Sequence, residues 1–172
     1  MNAPNKITLS RILLIPVFVL LFYFLETPHK KIILAALFAI MALSDFLDGY
    51  IARKTNKTTE LGALLDPIAD KLITIAVIIL YIGNGIPAWM ALILISRDII
   101  VSGIRAFALE FKKRIRVSQI GRIKTLVEML SLILIILEIK FGTILLGITT
   151  LLSIISGTDY IFKGIREIKK EF

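Results

Sequence analysis

The stretch that decides the reading runs Asp45-Phe46-Leu47-Asp48-Gly49-Tyr50-Ile51-Ala52-Arg53, followed after eight residues by Gly62-Ala63-Leu64-Leu65-Asp66-Pro67-Ile68-Ala69-Asp70. Four aspartates lie inside two apolar segments. Ionised carboxylates are expensive in hydrocarbon and mark function when they occur there. Four of them on one hairpin demand compensating positive charge, and bound divalent metal supplies it most economically.

Working outward, the surrounding chain has the composition of an integral membrane protein. Of its 172 residues 57% are hydrophobic, and the mean hydropathy is +0.87. That exceeds what a soluble domain of this size carries. The absence of cysteine excludes disulfides, thiolate catalysis and Cys-ligated metal. The net charge of +8 does not indicate nucleic acid, because the basic residues flank apolar spans as topology signals do. The first apolar run, Ile12 to Leu25, contains Pro16 and is followed by no small-residue cleavage pattern, so it reads as a retained helix rather than a signal peptide.

Crossing a bilayer takes about 20 apolar residues, and six segments qualify: Ile7–Leu25, Ile32–Arg53, Leu61–Ile82, Ile86–Phe107, Ile120–Leu137 and Thr143–Phe162. The connections are short. The expected architecture is therefore an all-α integral membrane protein, a single six-transmembrane-helix bundle over residues 1–172.

Lysine and arginine set its orientation. One side collects Lys6 and Arg11, Arg53 to Lys57, Lys112 to Lys124 and Lys163 to Lys170, against Lys30, Lys31 and Lys140 on the other. The positive-inside rule places both termini in the cytoplasm, as an even number of spans requires. At about 1.5 Å rise per residue, Asp48 and Asp66 lie roughly 7 Å from the cytoplasmic turn, and Asp45 and Asp70 roughly 12–14 Å. The pairs match in depth across the hairpin. Residues three or four apart share a helix face, so all four carboxylates can converge on one volume open to the cytoplasm.

Carboxylate oxygens suit hard divalent cations such as Mg²⁺, which keep waters or substrate phosphates as further ligands. Two such ions roughly 3.5–4 Å apart can clamp the attacking and leaving oxygens of a displacement at phosphorus. Gly49 and Gly62 bare the backbone for a ligand, or alternatively serve close helix packing. Ala52 keeps the same wall low. Arg53 faces a phosphate or marks the membrane boundary.

Taken together, Asp45-x2-Asp48-Gly49-x2-Ala52-Arg53-x8-Gly62-x3-Asp66-x3-Asp70 resembles the complete signature of the CDP-alcohol phosphotransferase family, with every position filled. The resemblance implies a six-helix fold and transfer of a phosphatidyl or related group from a CDP-linked donor to an alcohol, with release of CMP. It also implies that Asp45, Asp48, Asp66 and Asp70 hold two divalent cations, Mg²⁺ or Mn²⁺, and that Asp70 is the general base. The CDP donor would lie against Asn5, Thr8, Asp48, Gly49, Ala52, Arg53 and Gly62. A homodimer is implied as well, in a plasma membrane with the active site facing the cytoplasm.

Softer similarities bear on the acceptor. Pro4 to Arg11 with Pro16, Asp66-Pro67-Ile68-Ala69-Asp70-Lys71, Ser96-Arg97-Asp98 through Ser102-Gly103-Ile104-Arg105, and Gly121-Arg122-Ile123-Lys124-Thr125 resemble the phosphatidylglycerophosphate synthase branch. Its members join glycerol 3-phosphate to CDP-diacylglycerol. Arg97, Arg105, Arg122 and Lys124 then become candidates for gripping the acceptor phosphate, since guanidinium binds it bidentately. Arg97 beside Asp98 also fits a structural ion pair, and Arg122 a topology signal. Serine, inositol phosphate or phosphatidylglycerol are the alternative acceptors.

A divalent-cation transporter is the competing class. It accounts for acids in a bundle but leaves Gly49, Ala52, Arg53 and Gly62 unexplained, and it calls for polar groups continuing to the outer face, where this chain is apolar. His29, the single histidine, falls on the outer loop and has no expected role. Glu128 and Asp159 are possible arginine partners or cavity-lining acids. Trp89 and Tyr81 fit an interfacial aromatic belt.

Overall fold

The structure, a computed structural model, describes residues 3–55, 71–110 and 119–168, with side chains at 13–44, 71–108, 119–164 and 166. The described residues form α1 (Ala3–Phe24), α2 (Lys30–Thr55), α3 (Lys71–Leu80), α4 (Ala88–Glu110), α5 (Gln119–Ile136) and α6 (Phe141–Ile168). Helix α6 packs along α5 and α4, and α2 packs on α1 and α5.

The expected spans Ile32–Arg53, Ile86–Phe107 and Ile120–Leu137 fall closely on α2, α4 and α5. Helix α1 starts at Ala3, earlier than the expected Ile7. Helix α6 runs past Phe162 to Ile168. That extension is polar, and Lys163 bonds Asp159 one turn back at 2.7 Å, a pairing that prolongs a helix beyond its apolar run. Of the expected span Leu61–Ile82, the part before Lys71 lies outside the described residues.

The distribution of polarity is that of a helical membrane protein. Large apolar side chains face outward, among them Leu13, Phe24, Ile40, Leu43, Leu92, Leu126, Leu151 and Phe162. Segment Phe141–Gly164 of α6 is long and apolar enough to cross a bilayer. Inside, small polar residues line the α5–α6 seam: Ser131, Thr149, Thr150, Ser153 and Ser156 are buried. Ser131 and Thr149 meet across it at 3.3 Å. Both also back-bond to carbonyls one turn earlier on their own helices, which satisfies hydroxyls that have no water to meet.

A conventional apolar core forms around Phe18, Leu34, Phe38, Met41, Val77, Ile78, Leu94 and Leu132. Tyr81 belongs to it. Only 7% exposed, it packs edge-on against Phe22 with ring centroids 5.3 Å apart. This corrects the expectation of a belt residue: the α3–α4 turn folds Tyr81 inward, whereas Trp89 is exposed as a belt residue should be.

Three turns gather at that end, around an open cavity of about 620 Å³ lined in part by Thr27, Asn84, Gly85 and Glu138. The α3–α4 turn is tight, with Gly83 and Gly85 at φ 84° and 97°, a region that glycine enters without penalty. Helix α5 ends with Glu138 at φ 58°. Its N–H bonds the Ile135 carbonyl and that of Ile139 bonds the Leu134 carbonyl, the paired closure of a left-handed C-cap. With these turns at one end, the start of α1, the end of α2 and the starts of α3 and α5 lie toward the other.

Candidate active site

Helix α2 carries Asp45, Asp48, Gly49, Ala52 and Arg53 in its final turns. Its backbone is helical through this stretch, so Asp45 and Asp48, three residues apart, occupy neighbouring positions on one face. Asn5 and Thr8 are in the first turns of α1. Because α1 and α2 form a packed hairpin, these two positions lie toward the same end as the α2 aspartates. Gly62, Asp66 and Asp70 lie outside the described residues. Among the described residues no three acidic or histidine side chains gather as a metal site.

The basic candidates are laid out in detail. Asp98 is their centre: its Oδ1 accepts from Arg97 Nη1 at 2.8 Å and from Lys124 Nζ at 3.1 Å. Lys124 also donates to Oε2 of Glu128 at 2.8 Å, one turn along α5. Arg97 Nη2 reaches across to the Ser156 hydroxyl of α6 at 3.0 Å. Gly157 makes that approach possible, since a Cβ there would sit 2.9 Å from Arg97 Cγ. Lys71, at the start of α3, donates to the Asp98 backbone carbonyl at 2.7 Å and to the Ser102 hydroxyl. One residue thus ties α3, α4 and α5 together, and α6 through Arg97.

The four expected acceptor-site cations separate into two kinds. Arg97 and Lys124 are drawn into the Asp98 network, and Lys124 is only 1% exposed. Arg105 lies over the Tyr160 ring, its guanidinium carbon 5.9 Å from the centroid, a cation–π contact. Arg122 is exposed on the first turn of α5. The ion pair of Arg97 with Asp98 is real, and it is one edge of a larger network. Glu128, which sequence left as a possible arginine partner or cavity-lining acid, is buried and accepts from Lys124 through Oε2. The signal for it was present as Lys124-x3-Glu128, the spacing of helix neighbours. Among the described residues its Oε1 and Arg97 Nε have no hydrogen-bond partner.

Lys71, Arg97 and Lys124 thus meet around Asp98, within a network that joins α3, α4 and α5. Residues 1–155 match the family model described as CDP-alcohol phosphatidyltransferase. The chain belongs to the CDP-alcohol phosphatidyltransferase family. It is similar to proteins named CDP-diacylglycerol–glycerol-3-phosphate 3-phosphatidyltransferase. The one from Rickettsia bellii is 38% identical, with 96% of each chain covered. That from Bacillus subtilis is 32% identical over 98% of this chain and 97% of its own. That from Escherichia coli is 38% identical over 76% of this chain and 74% of its own.

Proposed function

We propose that this protein transfers the phosphatidyl group of CDP-diacylglycerol to glycerol 3-phosphate, forming phosphatidylglycerophosphate and CMP. The observation that carries the reading is near full-length similarity to relatives named for that reaction. Family membership supports the donor chemistry, and the cluster of Lys71, Arg97, Arg105 and Lys124 supports a phosphorylated acceptor.

The donor set proposed for the metals is Asp45, Asp48, Asp66 and Asp70. It contains only carboxylates, the hard oxygen ligands that Mg²⁺ and Mn²⁺ take, and two of the four share a face of α2. When bound, a divalent pair offsets the charge of the donor pyrophosphate and of the departing phosphate. Asp70 takes the proton of the acceptor hydroxyl as its oxygen bonds to the phosphatidyl phosphorus. The bond from that phosphorus to the CMP oxygen breaks, and CMP leaves with the electron pair. Gly49, Ala52 and Gly62 leave room for the cytidine. Asn5, Thr8 and Arg53 offer polar contacts to the donor. Arg97, Arg105, Arg122 and Lys124 supply positive charge for the acceptor phosphate and orient its free hydroxyl.

In this reading residues 1–172 form one domain with six transmembrane spans, both termini and the active site on the cytoplasmic side of the plasma membrane. The protein works as a homodimer. The exposed apolar faces and the skewed lysine and arginine distribution support the membrane placement.

The test is a purified-protein assay with CDP-diacylglycerol, Mg²⁺ and radiolabelled acceptors offered singly. Labelled phosphatidylglycerophosphate and an equal amount of CMP are expected with glycerol 3-phosphate. Labelled product from serine or an inositol phosphate, and none from glycerol 3-phosphate, would overturn the proposal. Divalent-cation flux without CMP release would revive the transporter.

A further inference from the structure

Two cations expected to grip the acceptor are already engaged. Lys124 is buried, and its ammonium is shared by the carboxylates of Asp98 and Glu128. Arg97 is held by Asp98 and Ser156. Lys71 is bonded differently. Its two acceptors among the described residues, the Asp98 carbonyl and the Ser102 hydroxyl, are neutral oxygens. Among the described residues its ammonium makes no ion pair.

An ammonium carries three donors, and among the described residues two are accounted for. The side chain is half-buried rather than enclosed, so the third can be reached. A cation inside a membrane bundle is costly unless an anion meets it. The place of Lys71 is equally specific. Asp98, Ser102 and Arg105 follow one another at four and three residues along α4, a single helix face. Lys71 is anchored on the first two, and the stripe continues to Arg105.

We propose that Lys71 is a further residue of the acceptor site, and that its ammonium bonds the phosphate of glycerol 3-phosphate. Arg105 supplies charge alongside, and the Asp98 network holds Lys71 in place from behind. The assignment rests on the reading that the acceptor is phosphorylated.

The test compares Lys71→Met, Lys71→Gln and Lys71→Arg with wild type in steady-state kinetics, with each variant's melting temperature in detergent as the folding control. The Met variant should raise the KM for glycerol 3-phosphate about tenfold or more, with kcat changed less than about threefold. The KM for CDP-diacylglycerol should stay unchanged, and the Arg variant should recover most of the loss. Thermal protection of wild type by glycerol 3-phosphate alone should disappear in the Met variant. If Lys71→Met does not fold, Lys71→Gln carries the same comparison.

A fall in kcat at unchanged acceptor KM would make Lys71 a tether and overturn the proposal. So would a raised KM for CDP-diacylglycerol, which would place the ammonium on the donor, or unaltered kinetics throughout. A wild-type protein that ignores glycerol 3-phosphate would instead overturn the proposed function itself. The two failures are therefore distinct.

Discussion

Lys124 and Glu128 stand one turn apart on α5, joined from Nζ to Oε2 at 2.8 Å, with 1% and 4% of their side chains exposed. Breaking such a pair by removing one partner strands a buried charge, typically at a cost of about 3–5 kcal/mol. Lys124 retains Asp98 when Glu128 is lost, so Glu128→Leu should cost about 3 kcal/mol, at the lower end of that range. Glu128→Gln, which keeps a hydrogen bond, should cost less. Melting in detergent micelles reads both. In a double-mutant cycle, Lys124→Met with Glu128→Leu should be less destabilised than the two single losses combined. Strict additivity would mean the pair is not coupled.

Gly157 lets Arg97 lie flat against α6, within 2.9 Å of where a Cβ would stand. Gly157→Ala should displace the Arg97 stem and loosen its bonds to Ser156 and Asp98. The expected kinetic result is a several-fold higher KM for glycerol 3-phosphate at unchanged KM for CDP-diacylglycerol. Equal effects on both substrates would point to general disruption of the bundle instead.

Glu138 occupies a left-handed backbone conformation, at φ 58°, that costs an L-residue roughly 1–2 kcal/mol relative to glycine. Its ion pair with Lys31 at 2.6 Å is solvent-exposed and recovers about 0–1 kcal/mol. Glu138→Gly should therefore raise the melting temperature slightly, whereas Glu138→Val should lower it, because branching at Cβ worsens the strain. A Gly variant less stable than wild type would show that the Lys31 contact outweighs the backbone term.

Asp66→Asn and Asp48→Asn should each reduce transfer to background, and chelation of divalent cations should do the same to wild type until Mg²⁺ is restored. His29→Ala should leave transfer near wild type, since His29 is exposed in the α1–α2 turn, remote from the α2 aspartates. Substantial CMP release by either aspartate variant would remove that residue from the proposed metal set.

Helix positions were largely legible in the sequence because each span must satisfy its backbone internally, which leaves a long apolar run as the signature. Ends were less so. Helix α6 continues to Ile168 through a Lys163–Asp159 pair that hydropathy reads as the end of a span. Tyr81 was misplaced for a related reason: a sequence shows that an aromatic lies near a helix end, but not whether the turn folds it in against Phe22.

The acceptor side shows the same division. Charged residues in α3, α4 and α5 announced themselves by their rarity in apolar surroundings. Local spacing permits the pairing of Lys124 with Glu128. No spacing could reveal that Asp98 receives Lys124 from another helix, or that Lys71 reaches its carbonyl.

By itself, then, the sequence determined the family, the all-helical membrane class and the donor chemistry. These rest on local periodicity and on a run of acids and small residues close together in the chain. Among the described residues, tertiary structure alone decided which cations are engaged by carboxylates and that Lys71 bonds neutral oxygens. That depends on how α3, α4, α5 and α6 approach one another, and contacts between residues far apart in the chain are set by packing rather than by sequence spacing.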